Sequence, residues 1–277
     1  MNDVTKRVKE FYEELPFNYY SSNEIAISKI KSNPLLIYSD LVQLLKGNEV
    51  SSVIEFGCGA GWFSNSIAYH YNIQTTGVDM TGRAIERACE INESLGKSNL
   101  VSFKQQDIFS YQTDNKVDLI VSLGVLHHTY NAKRAFQQIS QFVKPGKYIY
   151  IGLYHLYARK IFLKKFKDIV EKEGEEAALK EYRRNHSTLK DDTHAMSWFR
   201  DQVLHPHETL HTIEEIIQWF GEEGFELIST SINKFGGIDD HDFLIEKEKE
   251  YEALSYEHNC KNGRYFPGFF TALGKKI

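Results

Sequence analysis

Between residues 50 and 155 the chain alternates two periodicities. Short runs rich in aliphatic and β-branched residues read as strands. They fall at 53–56, 75–78, 100–103, 118–122 and 148–154. Between them, at 62–71, 81–95 and 132–142, apolar residues recur every three to four positions, the spacing of one side of a helix. Gly96 closes the second of these helices. Strand and helix in alternation predict an α/β fold with a mostly parallel sheet and helices on both faces.

The flanks follow other patterns. Residues 1–15 form an amphipathic helix, with Val4, Val8, Phe11 and Tyr12 near one face and Pro16 as its stop. An aromatic and polar stretch follows, Phe17-Asn18-Tyr19-Tyr20-Ser21-Ser22, then a helix from Ser22 or Asn23 towards Lys31. Asn33 as N-cap and Pro34 at the first helical position predict a further helix. Leu36, Leu41, Leu44 and Leu45 would be its buried side and Gly47 its terminator. After residue 155 the alternation stops. Residues 156–204 are charged and helical in pattern, with a basic stretch from Arg159 to Lys167 that reads as a solvated helix face. Thr212-Ile213-Glu214-Glu215 is a capping box opening a helix with Ile216, Ile217 and Phe220 inside. Sheet pattern returns near Phe225 and in a final strand at 268–273. The expected organisation is an N-terminal helical cap (1–47), a nucleotide-binding core (48–155), a helical insertion (156–211) and a segment completing the sheet (212–277).

The first strand runs into Glu55-Phe56-Gly57-Cys58-Gly59-Ala60-Gly61, a turn with glycine at every second position. Glycine lets the backbone turn tightly and lets a ligand come close, since no Cβ intervenes. About twenty residues on, Asp79 ends the second strand, where an acid accepts hydrogen bonds from ribose hydroxyls. A dinucleotide fingerprint would read G-x-G-x-x-G. Here the spacing is G-x-G-x-G, and Trp62 stands at the position of the third glycine. Glu55 would also repel a pyrophosphate, whereas it suits a ligand bearing an amino group.

At these residues the chain resembles the class I S-adenosylmethionine-dependent methyltransferases. Three further stretches support the resemblance: Gln106-Asp107-Ile108; Val117 to Ser122 followed by Leu123-Gly124-Val125-Leu126-His127-His128; and Phe142-Val143-Lys144-Pro145-Gly146-Lys147. The resemblance implies a Rossmann-like, doubly wound, seven-stranded sheet with a helical lid between strands five and six. It also implies S-adenosylmethionine as cofactor and S-adenosylhomocysteine as product. Carried over residue by residue, Glu55 lies near the methionine amino end, and Gly57, Cys58, Gly59 and Gly61 offer backbone. Asp79 holds the ribose, Met80 lies against adenine, and Asp107 and Ile108 reach the adenine edge. Leu123, after the fourth strand, and the aromatic pair Tyr19 and Tyr20 complete the expected cofactor contacts.

Histidines supply the candidate proton acceptors, because their pKa lies near neutrality. His127 and His128 follow the fourth strand, and His205 and His207 sit in a polar-aromatic stretch at the end of the insertion. Tyr154, His194, Trp198, Arg200 and Asp201 are the expected substrate contacts, since segments so rich in polar and aromatic groups line pockets. A literal H-E-x-x-H occurs at His207, Glu208 and His211. In zinc enzymes it works from a helix, where residues four apart share a face. Here the capping box starts the helix only at Thr212, so no metal is expected.

Composition narrows the class little further. At 277 residues, 42% hydrophobic and 26% charged, the chain suits one large globular domain with an insertion. A formal charge of −5 disfavours a nucleic-acid partner. No apolar stretch is long enough to span a bilayer, and residues 1–4 lack a signal-peptide pattern, so a cytoplasmic location is expected. The three cysteines form neither a disulfide framework nor a zinc motif. The expected function is methyl transfer to an oxygen or nitrogen of a small polar metabolite. The alternatives are a non-catalytic protein that holds the same cofactor, a methyltransferase acting on modified RNA, a nicotinamide-dependent oxidoreductase and a metal-dependent hydrolase.

Overall fold

Nineteen regular elements build the chain in the computed structural model, which describes residues 2–277. Three helices come first: α1 (Asp3–Glu14), α2 (Asn23–Ser32) and α3 (Ser39–Lys46). The alternating core follows as β1 (Ser52–Phe56), α4 (Trp62–Tyr71), β2 (Gln74–Asp79), α5 (Gly82–Leu95), β3 (Val101–Gln105), β4 (Val117–Leu123), α6 (Ala132–Ser140) and β5 (Val143–Tyr154). Next come α7 (Leu156–Glu173), α8 (Glu175–Asn185), α9 (Asp192–Val203) and α10 (Ile213–Glu222). The chain closes with β6 (Phe225–Thr230), α11 (His241–Glu248), α12 (Glu250–Tyr256) and β7 (Phe269–Lys276).

The seven strands form one sheet in the order β3-β2-β1-β4-β5-β7-β6. All pairings are parallel except those of β7, which runs against both neighbours. Strand order reverses between β1 and β4, and open α/β sheets bind ligands at the carboxyl ends of strands at such a point. Both faces are buried, which explains the runs rich in aliphatic and β-branched residues. Along β1 and β4, Ile54 and Ile120 face one side, where they pack with Phe136, Ile216 and Phe220. Val53, Leu119 and Val121 face the other, with Leu41, Phe63 and Ile67. Burying each such side chain contributes about 1.5–3 kcal/mol.

Local chemistry sets the element ends. Gly96, left-handed at φ 67°, closes α5, and its N–H donates to the Asn92 and Glu93 carbonyls. The capping box at Thr212 and Glu215 is formed in both directions. Asn131 and Asp191 cap α6 and α9 by accepting from the N–H groups of Arg134 and His194.

The fold departs from the sequence reading at four places. The Asn33-Pro34 pair starts no helix: Asn33 Oδ1 accepts the Leu35 N–H at 3.0 Å, and Leu35 then turns left-handed at φ 64°. That turn buries Leu35 and exposes Leu36, so α3 begins only at Ser39. The Lys144-Pro145-Gly146 turn lies inside β5 as an irregularity, with a register shift against β4. Arg159, expected on a solvated face, is fully buried. Residues 212–277 do more than complete the sheet. They insert α11 and α12 between β6 and β7, and the Ser255 hydroxyl of α12 donates to the Ala158 carbonyl of α7. Helices α7 to α9 carry a small core of their own around Phe162, Phe166, Tyr182 and Phe199. Among the described residues no helix is long and apolar enough to cross a membrane.

Candidate active site

The glycine turn after β1 folds over the end of β2. The Val78 carbonyl accepts from the N–H groups of Gly57 at 2.7 Å and Cys58 at 3.1 Å. Asp79 then pins the loop: Oδ2 accepts the Gly59 N–H at 2.9 Å and Oδ1 the Thr81 N–H at 2.8 Å. Gly57, Gly59 and Gly61 all have positive φ, between 50° and 75°. At Gly57 a Cβ would lie 2.2 Å from Val125 Cγ2, whereas at Gly59 the nearest atom is 3.8 Å away, the Phe17 carbonyl oxygen. The loop is thus tight beneath Gly57 and open above Gly59.

Glu55 is buried at the end of β1, where its carboxylate accepts from the Ser64 hydroxyl. Burial, reinforced by nearby Asp79, pushes its carboxyl up to about 8 despite that bond. Burial likewise raises Asp79, against the Thr81 and Gly59 N–H groups that pull it down. Two acids held above their ordinary range, beside an open glycine turn, make a site for a ligand that brings positive charge and hydroxyl donors.

A cavity of about 1440 Å³ opens from this loop towards α9. Its far end holds a buried polar cluster. Tyr12 OH donates to Asp201 Oδ1 at 2.6 Å, and Tyr154 OH donates to Asp201 Oδ2 at 3.1 Å. His128 Nε2 faces Asp201 Oδ1 at 3.8 Å with no hydrogen-bond partner. His128 Nδ1 lies 2.9 Å from the His207 carbonyl oxygen, which can only accept. The proton of neutral His128 is therefore on Nδ1, and the Nε2 lone pair faces Asp201. Burial lowers His128 to about 4, and the Arg159 charge works in the same direction. Burial raises Asp201 to about 6, although the two tyrosine hydroxyls and Arg159 stabilise its charge. At neutral pH the cluster holds a neutral imidazole beside an ionised carboxylate.

Behind the cluster lies Arg159. Its guanidinium sits 3.7 Å over the Tyr154 ring, binds both Glu208 oxygens and donates to the Gln202 carbonyl at 2.7 Å. In front, residues 11–21 cross from α5 to α9. Glu13 accepts the Gly82 N–H at 2.9 Å at the start of α5, and Arg87 stacks on the Tyr19 ring. On the other side Asn18 Oδ1 accepts from His194 Nε2 at 2.7 Å and Trp198 Nε1 at 3.1 Å. Tyr20 stacks on His194 with ring centroids 4.0 Å apart.

Most of the residues singled out from the sequence meet at this cavity. Glu55, Gly57, Cys58, Gly59, Asp79, Met80, Asp107, Ile108 and Leu123 line the half of the cavity beside the glycine loop. Tyr20, His128, Tyr154, His194, Trp198 and Asp201 line the rest. Others stand behind the wall. Tyr19 packs against the guanidinium groups of Arg83 and Arg87, and Gly61 is the N-cap of α4. His127 is fully buried, stacked on Tyr154 and accepting its backbone N–H on Nδ1. His205 packs against His128 with the rings tilted and their centroids 3.7 Å apart, and His207 donates from Nε2 to the Thr129 carbonyl at 3.1 Å. Both support His128. Arg200 turns from the cavity to Glu14 and the Phe11 ring. His207 and His211 precede α10, and Glu208 is held by Arg159. The sequence reading missed Tyr12, Tyr38, Tyr265 and Phe269, which also line the cavity. Tyr12 had a signal, a polar hydroxyl at the end of the apolar stripe of α1; Tyr38, Tyr265 and Phe269 had none.

A protein-family model described as a methyltransferase domain matches residues 48–263, from the strand before the glycine turn to past α12. The chain belongs to that methyltransferase-domain family. Its sheet follows the class I, S-adenosylmethionine-dependent arrangement. The methyltransferase domain is 30% identical over 98 residues to malonyl-[acyl-carrier protein] O-methyltransferase 2 of Ilyobacter polytropus, which is 35% of this chain and 37% of that protein. The chain thus spans little more than a third of that relative's length. Among solved structures it is similar to PKMT2 from Rickettsia typhi in complex with AdoHcy, with a TM-score of 0.57 at 16% identity, over 82% of this chain and 48% of that one. It is also similar to magnesium protoporphyrin IX methyltransferase from Synechocystis with bound SAH, with a TM-score of 0.52 at 14% identity, over 100% and 88% of the two chains. At these identities the likeness to the two structures is one of fold. The methyltransferase sheet carries its glycine turn, acids and His128 at one end, where that fold binds ligands.

Proposed function

We propose that this protein transfers the methyl group of S-adenosylmethionine to an oxygen or nitrogen of a small molecule. One observation carries the reading: the acid-and-glycine loop and the His128–Asp201 pair open into the same cavity. Small-molecule sites commonly occupy about 300–1,000 Å³, so this cavity has room for two ligands side by side. Glu55, the Gly57–Gly59 backbone, Asp79 and Asp107 would hold the cofactor. When bound, the cofactor supplies an already activated methyl group on a positively charged sulfur.

The protein's own residues then do three things. The glycine loop and Asp79 fix one ligand in place, and positioning of this kind is the main catalytic contribution when the group is already activated. Helix α9, the turn before it and residues 12–20 wall the cavity on the acceptor side. His128 Nε2, neutral and unprotonated at physiological pH, accepts the proton that the nucleophile loses. The nucleophile grows strongly acidic as it gains the methyl group, so even a weak base suffices.

Calorimetric titration with S-adenosylmethionine and S-adenosylhomocysteine, with NAD(H) as control, tests the reading. Micromolar binding of the two adenosyl ligands alone is expected. Binding of NAD(H) in their place, or of none of them by folded protein, would sink it. His128→Gln and Asp201→Asn should keep S-adenosylhomocysteine affinity and lower turnover by about 10²–10⁴-fold.

A further inference from the structure

Two hydrogen-bond acceptors face each other in the acceptor half of the cavity. His128 Nε2 cannot donate, because its ring proton is committed to the His207 carbonyl. Asp201 Oδ1 cannot donate while ionised; it already accepts from Tyr12 at 2.6 Å and keeps a second lone pair for another donor. The two atoms are 3.8 Å apart, too far for a hydrogen bond to each other and close enough to share one ligand group. Both residues are more than nine-tenths buried, and His128 Nε2 has no partner. His128 Nε2 is a buried acceptor that costs free energy until a donor arrives to meet it, and the second lone pair of Asp201 Oδ1 stands beside it.

We propose that the methyl acceptor presents a neutral group with two X–H donors to His128 and Asp201, either two hydroxyls on neighbouring carbons or an uncharged amine. This inference rests on the methyltransferase reading and narrows its substrate class. A lone hydroxyl meets His128 Nε2 and leaves the second lone pair of Asp201 Oδ1 unused. A carboxylate brings further lone pairs and a second negative charge against Asp201. A cationic ammonium is disfavoured because the Arg159 guanidinium already lies against Tyr154, whose hydroxyl bonds Asp201. The cofactor adds a second positive charge to the cavity.

The reaction balances with these groups alone. One X–H proton passes to His128 Nε2, and the freed lone pair forms the new X–CH₃ bond. The C–S bond breaks and its electron pair stays on sulfur, giving S-adenosylhomocysteine. Asp201 stays ionised, holds the second X–H and stabilises the imidazolium until its proton returns to solvent.

The test uses the full chain saturated with S-adenosylhomocysteine, titrated calorimetrically at pH 8 with five probes at millimolar concentrations. Catechol offers neighbouring hydroxyls, aniline an uncharged amine, phenol one hydroxyl, benzylammonium a cation and benzoate an anion. Catechol or aniline should bind about tenfold or more tightly than phenol and benzoate, and the one that does so tells oxygen from nitrogen. Asp201→Asn should erase that preference while S-adenosylhomocysteine affinity holds, which shows that the fold is intact. Phenol or benzoate binding as tightly, benzylammonium binding most tightly, or no probe binding at all overturns the inference. Failure of S-adenosylhomocysteine itself to bind would instead sink the methyltransferase reading. The probes are then titrated without it, and the same preference for catechol or aniline, or its absence, decides the acceptor pair.

Discussion

Arg159 grips both oxygens of Glu208, Nε to Oε1 at 3.0 Å and Nη2 to Oε2 at 2.8 Å. The pair consumes the central acid of the H-E-x-x-H string and turns it into a support for Tyr154. Removing Glu208 would leave a fully buried guanidinium unpaired. Glu208→Ala should therefore cost about 3–5 kcal/mol of stability, read from urea unfolding, and Glu208→Gln should cost less. A loss below about 1 kcal/mol in the alanine variant would show that the pair is not holding the wall. With Glu208 bound to Arg159 and His207 donating to Thr129, a chelator should leave methyl transfer unchanged.

Glu55 makes cofactor binding and stability depend on pH. Its folded carboxyl, at about 8, lies above the ordinary value of 4.5. The folded state then holds a proton that the unfolded state has lost. The contribution of Glu55 to the stability of the ligand-free protein is therefore fully present below about 4.5 and is lost as pH rises through about 8. Glu55→Gln should flatten this slope in thermal melts taken from pH 5 to 9. A ligand ammonium needs the ionised carboxylate, so S-adenosylmethionine binding near pH 7 should release a proton. Calorimetry in buffers of different ionisation enthalpy would detect it, and equal apparent enthalpies in all buffers would remove Glu55 from the ligand's reach.

Two glycines of the loop should fail in opposite ways. Gly57→Ala forces a methyl group to 2.2 Å from Val125 at φ 75°, and about 1–3 kcal/mol of stability should go with it. Gly59→Ala meets no atom closer than 3.8 Å, so only its left-handed backbone is strained, by about 1–2 kcal/mol. Its methyl group projects into the open side of the loop, and the main loss should be cofactor affinity. Melting temperature and S-adenosylhomocysteine affinity, measured on both variants, separate the two effects; identical profiles would contradict the geometry.

Asn18 ties residues 11–21 to α9 through one oxygen and sits in the left-handed region at φ 55°, which asparagine tolerates better than most residues. Asn18→Ala loses both bonds and that tolerance. Faster amide exchange in residues 16–21 and in α9, with the sheet unaffected, is the expected result. Unchanged exchange in α9 would mean that the roof is held elsewhere.

The core was legible because its signals are local. The β1 run, the glycine spacing and Asp79 lie within about thirty residues, and each constrains the backbone directly. The acceptor half was legible only in part, because it is assembled from residues that no periodicity links. His128 and Asp201 were visible as polar residues in suggestive places, but their pairing depends on Tyr12, 189 positions from Asp201. Arg159 shows the limit of charge pattern. In a basic run it looked solvated, and only the fold reveals that Glu208 and the Tyr154 ring take it inside. Leu35 shows the same limit for capping. The Asn-Pro signal was real, but the Asn33 side chain spent it on a turn rather than a helix.

The strap over the cavity also sets a timetable for folding. Residues 11–21 find their partners in residues 191–201, with 170 to 189 positions between bonded groups. At a synthesis rate of about 5–20 residues per second, those partners emerge roughly 10–40 s later. For that interval Phe11, Tyr12, Phe17 and Tyr20 have no α9 to pack on, while the glycine turn and α5 are already made. The roof thus cannot close on a newborn chain until α9 has emerged, and the acceptor site comes into being only after that.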